Sequence, residues 1–321
     1  MGESTVGGTA PPITDPFDAV PELEPLRAAG WDGDWVATRA FFEEISSPVD
    51  VSFAAALLAG IDRTEWYLEK AAKTEPTDPL PRTLLAERYI HLGRRARGRG
   101  LAEDLSWDQA ELSRDWLRKA ERLLIEVCAE QPAYVPAWTA RLATARGLAL
   151  GQSEARRRYD RLTEHHPHHF RAQSHLLQQL CPERGGSWEA AHGFAQECVS
   201  AAPEGSHSGV LVAEAHIEHW ADHQDHQDTA EATEYLRDVS VRDELRRAAR
   251  ASVLHPDHRR DWHWTESHST FALAFSLGGH LGDAAPHFAA LGDTAHESFW
   301  RYLPDWKTRF TEYRTAASAT R

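Results

Sequence analysis

Pro132, Pro167 and Pro203 stand 35 and 36 residues apart, and each closes an amphipathic stretch. Ala120, Ala155 and Ala191 repeat the same two steps, twelve residues ahead of each proline. Proline lacks the N–H that a helix interior needs, so it ends a helix. A small side chain recurring at one register position suits a place where two helices approach closely. In "DWLRKAERLLIEVCAEQP" (115–132) the apolar residues Trp116, Leu117, Ala120, Leu123, Leu124, Val127 and Cys128 form one helical stripe. "EARRRYDRLTEHHP" and "WEAAHGFAQECVSAAP" carry the same stripe. Between them lie "AYVPAWTARLATARGLAL", "HHFRAQSHLLQQL" and "SHSGVLVAEAHIEHW", which also read as helices. A helix–turn–helix unit of this length cannot bury its apolar face alone, whereas stacked copies can. No segment sustains strand-like alternation, so the sequence predicts an all-α fold.

These residues resemble the tetratricopeptide repeat family. The likeness rests on the small Ala120, Ala155 and Ala191, on Tyr159 four residues after Ala155, and on the three closing prolines. Trp138 opens a first helix, and Leu142–Ala143 stands near the leucine–small pair of that family. "FALAFSLGGHLGDAAPHFAALGD" (271–293), with Ala285 and Phe288, looks like a further unit. The repeats are clearest over 115–220, with a C-terminal repeat and aromatic cap over 258–310. The likeness extends more weakly to 34–110 and 241–293. It implies a right-handed α-solenoid spanning residues 28–310, whose inner, first-helix face holds an extended peptide or a partner helix. That face would offer Arg141, Arg171, His175, Gln178, Glu214 and Glu218, with arginines suited to clamping carboxylates in bidentate fashion; the alternative is that these arginines are simply solvated. The sequence departs from the family pattern where Arg146 replaces an aromatic, where "CPERGGS" enlarges a turn, and where "DHQDHQDTAEATEYLRDVS" is inserted. An irregular all-α bundle is the alternative architecture.

A net charge of −14 argues against nucleic acid as a partner. The local exception, "GRRARGRG" at 93–100, reads as a solvated helix end and loop, because its glycines break a sustained helical face. No apolar run approaches the length of a membrane span. Residues 1–27, rich in Gly, Thr and Pro at the start, are expected to form a disordered leader without a secretory signal. Residues 311–321 are expected to fray. Cys128, Cys181 and Cys198 are odd in number and include no C-x-x-C pair, which suits reduced thiols and a cytoplasmic location.

No phosphate-binding loop, nucleophile elbow or H-E-x-x-H element is present. The unusual component is histidine, 19 in all. "AHIEHWADHQDHQD" (215–228) places His216, His219, His223 and His226 at helical spacing. Ten residues of helix rise about 15 Å, so a single ion cannot take all four, but adjacent pairs can each supply two imidazoles to a divalent metal such as zinc. The competing reading is a pH-responsive polar surface. Protonating every histidine would carry the charge from −14 to +5, with least solubility expected between about pH 5 and 6. The sequence thus favours a non-enzymatic scaffold that binds another protein or peptide. A histidine-rich metal-binding protein or metalloenzyme on the same scaffold is the alternative.

Overall fold

A computed structural model describes residues 11–98, 106–225 and 234–320. Those residues are helical throughout, with no strand and one isolated bridge between Ile13 and Thr294. They fall into two compact units. A central unit comprises Val20–Phe194, and a terminal unit joins Ala195–Arg321 to the segment ending at Ala19. No described helix is long and apolar enough to cross a membrane.

The central unit contains α2 (Glu24–Asp32), α3 (Trp35–Glu43), α4 (Pro48–Leu58), α5 (Thr64–Thr74), α6 (Pro79–Arg97), α7 (Trp107–Glu130), α8 (Val135–Gly147), α9 (Gln152–Thr163), α10 (Phe170–Leu180) and the start of α11 (Trp188–Ala201). Their starts follow ordinary capping chemistry, in which a side-chain oxygen accepts from an otherwise orphaned backbone N–H. Asp34 accepts from Ala37 at 3.0 Å and Asp78 from Leu80 at 2.9 Å. Ser106 and Gln109 satisfy each other's backbone in a capping box. From α5 to α10 each helix packs on the next in sequence, and α6, α8 and α10 also touch in a row.

Ala120, Ala155 and Ala191 lie on α7, α9 and α11, and each is 0% exposed. Tyr159 meets Phe194 edge-on, with ring centroids 5.5 Å apart. Ala155→Leu or Ala191→Leu therefore forces extra volume into a closed contact, and each should cost about 1–3 kcal/mol. Urea unfolding would read this directly; two leucine variants with the wild-type midpoint would rule out the register. The enlarged "CPERGGS" connection has its own cause. Gly186 tucks so tightly under the end of α10 that a Cβ would come 1.9 Å from the carbonyl oxygen of Leu180.

One helix departs from neighbour-by-neighbour stacking. α4, "PVDVSFAAALL", packs against α6, α8 and α10. Its sequence has almost no polar face, which fits a helix surrounded by others. His169, at the start of α10, ties it in place. The ring Nδ1 accepts from the Ala172 N–H, so Nε2–H donates to Ser52 Oγ at 3.1 Å and to Thr139 Oγ1 at 3.3 Å.

In the terminal unit, α12 (Val210–Asp225) packs on α13 (Val239–Ala251) and α14 (Trp264–Leu277), while α15 (Leu281–Leu291) packs between α14 and α16 (Trp306–Ser318). Trp300 and Phe310 are buried together at 5.0 Å, with Phe288 edge-on to Phe310. Residues 311–318 continue α16, and Ala317 is buried, so this part of the expected frayed tail is helical. Part of the expected leader also has structure. Ile13 N–H donates to Asp293 O, its carbonyl accepts from Ala295 N–H, and α1 (Pro16–Ala19) buries Phe17. In the central unit, Leu23 and Leu26 are likewise buried. Residues 1–10 of the leader lie outside the described residues.

Candidate functional site

Three helices of the central unit, α6, α8 and α10, bring cationic side chains to one recess. Glu87 and Arg94 lie two helical turns apart on α6, Arg146 ends α8, and Arg171 and His175 lie one turn apart on α10. Arg94 reaches solvent, yet so much protein surrounds its guanidinium that burial lowers its pKa, with Glu87 opposing. Burial raises the Glu87 carboxyl, against the pull of Arg94 and Arg171. His175 is held well below its usual range, first by burial and then by Arg146, Arg171 and Arg94. A side chain that water touches while protein encloses it on most sides sits in a concavity. Gln178 is half-buried on the same helix as Arg171 and His175.

Arg141, expected on this face, points inward instead. It is buried, packs over the Trp138 ring and donates to Glu121 at 3.0 Å. Glu121 also accepts from Arg158 at 2.8 and 3.0 Å and from the Thr144 hydroxyl. Arg158 in turn donates to Glu154, whose carboxyl is pulled down to about 2 by Arg157 and, against burial, by Arg158. This ion cluster links α7, α8 and α9, so Arg141 braces the fold and offers no free guanidinium to a ligand.

Glu214 and Glu218 belong to the terminal unit. Glu214 is 1% exposed, and Glu218 accepts from the Tyr302 hydroxyl at 3.1 Å. The histidines of α12 gather around one phenol. His216 is buried, with Nδ1 2.6 Å from Tyr235 Oη and Nε2 3.3 Å from Glu244. His219 and His223 stack at 5.0 Å, and both rings tilt against Tyr235. Tyr235 comes from the inserted segment, so the helical histidine spacing coincides with the packing footprint of its ring. His226 lies outside the described residues. Among the described residues no three His, Cys, Asp or Glu side chains gather at metal-binding geometry.

A hydrogen-bonded series that sequence spacing does not reveal runs through the terminal unit. His207 lies 2.8 Å from Asp261 through Nε2 and 2.7 Å from Ser267 Oγ through Nδ1. Burial alone would raise the Asp261 carboxyl, but the hydrogen bond and charge of His207 outweigh it and hold it at about 2. The residue types are those of a hydrolase triad. However, Ser267 is 0% exposed in the buried first turn of α14, where no substrate carbonyl reaches it. Nearby, His268 and His287 meet through their Nδ1 atoms at 3.1 Å, and His287 stacks on Phe271. These groups make a buried polar network that fixes α14 and α15.

Comparison with models of known protein families, and with curated proteins, finds no match to this chain.

Proposed function

We infer that the protein is a non-enzymatic, tetratricopeptide-like right-handed α-solenoid that holds another protein or a peptide against the first-helix face of its central unit. The observation that carries this reading is the recess of Arg94, Arg146, Arg171 and His175, contributed by α6, α8 and α10. Support for the solenoid comes from the buried alanines at a 35–36-residue step and from the row formed by α6, α8 and α10. The cationic character of the recess selects an acidic segment, because opposite charge steers encounter and fixes register. α4 covers part of the row near Thr139 and His169, which confines the partner to the accessible arginines.

The test compares capture from native-cell extract by wild-type protein, Arg94→Glu/Arg171→Glu and Arg122→Glu. Arg122 lines a separate groove with Leu85, Tyr89 and Lys119 and serves as the control. A partner retained by wild type and control should be weakened by about tenfold or more in the double reversal. Capture indifferent to the double reversal would remove the recess from consideration.

A further inference from the structure

We propose that a cavity at the C-terminal ends of α6 and α8 binds the phosphoryl group of a small molecule. The cavity measures about 280 Å³ and is lined by five arginines: Arg94, Arg97, Arg114, Arg146 and Arg184. Their gathering is unusual in a chain with 49 acidic and 35 basic residues. Many arginines elsewhere pair closely with carboxylates, as Arg88 does with Glu65 and Arg242 with Asp283. Among the described residues, no carboxylate lies within ion-pair distance of Arg94, Arg97 or Arg184.

The local charge sets the ligand class. Glu111 offsets Arg114 at 3.3 Å, and Glu87 faces Arg94. Each helix C-terminus adds roughly half a negative charge, which the arginines of the last turns also serve to balance. Arg97 and Arg184 have no carboxylate within ion-pair distance among the described residues, and their two positive charges match the charge of about −1.5 to −2 on a phosphoryl group near neutrality. A lone carboxylate would satisfy about half of that. Guanidinium forks engage two phosphoryl oxygens at once, which ammonium groups do not. Leu117, Ala143 and Leu148 provide an apolar wall. The volume lies just below the usual range of about 300–1,000 Å³ for ligand pockets, so the site fits one head group and little more. Arg94 and Arg146 are shared with the recess of the partner reading, whereas Arg97 and Arg184 belong to this cavity alone and carry its test.

The experiment is calorimetric titration of the full chain at fixed low ionic strength with phenyl phosphate, inorganic phosphate and sulfate. Saturable binding at one site per chain is expected, tighter for both phosphates than for sulfate. Phenyl phosphate binding more tightly than inorganic phosphate assigns the group to an ester; the reverse order assigns it to free phosphate. Arg97→Ala/Arg184→Ala should weaken binding about tenfold or more, whereas Arg122→Ala should leave it unchanged. Each single replacement, removing a solvent-reaching side chain, carries the test if the pair does not fold. No saturable phosphate binding, sulfate binding as tightly as phosphate, or undiminished binding by the variants overturns the proposal. Absence of phosphate binding by the wild-type chain, with partner capture sensitive to Arg94→Glu/Arg171→Glu, would fell this site alone.

Discussion

Replacing Glu121 with alanine should destabilise the central unit by about 3–5 kcal/mol, the cost of leaving buried charges without their partner. Arg158 is 2% exposed and Arg141 is buried beside it, and Glu121 is their shared acceptor. After its loss, Arg158 keeps Glu154 at 2.7 Å and the Arg141 carbonyl at 2.6 Å, while Arg141 is left 4.0 Å from Glu154. Glu121→Leu/Arg141→Met should recover part of the loss by removing the stranded charge together with its acceptor. Urea denaturation of the two variants gives the comparison. A single variant no less stable than the double would show that the cluster contributes through packing alone.

Acidification from pH 7 to 4 should destabilise the terminal unit through His268 and His287. Burial comes first in keeping His268 neutral, followed by the charges of His258, His207 and Arg260, and its pKa falls to about 4. Burial drives His287 well below its usual range. An unfolded histidine titrates near pH ~6.5, so below that value the unfolded chain binds more protons than the folded one. The stabilisation is complete above pH ~6.5 and fades as pH falls towards the folded value, amounting to about 3 kcal/mol for His268. His268→Asn, which retains a donor beside His287, should flatten this slope. A urea midpoint constant from pH 7 to 4.5 would contradict the assignment. Such depressed values also mean that the charge swing read from 19 equal histidines is spread to lower pH.

The helices and their pairing were legible because they rest on local periodicity. Pro132, Pro167 and Pro203 and the alanines before them depend only on chain-neighbouring registers. The environment of a side chain was less legible wherever it depended on distant residues. Arg141 reads as surface on α8 until Glu121, twenty residues earlier on α7, is seen beneath it. His216, His219 and His223 share a helical face, as spacing predicts, but Tyr235 of the insertion occupies that face. The "GRRARGRG" stretch reads as a solvated helix end; its Arg94 and Arg97 become a site only where Arg114, Arg146 and Arg184 converge from other segments. Part of the leader is ordered for a similar reason, since Ile13 finds its backbone partners at Asp293 and Ala295.

The position of α4 changes how the central unit can assemble. In a linear repeat array each unit needs only its neighbours, so folding can begin anywhere and terminal units can be shed one at a time. Here Ser52 on α4 meets His169 at the head of α10, 117 residues away in sequence. Closing that contact requires most of the unit to be in hand, which raises contact order and slows folding relative to a purely local stack. Truncation before α10 would strip α4 of one wall and expose a helix with little polar surface of its own. The central unit therefore has no natural halfway product: it completes as a whole or leaves its most apolar helix in water.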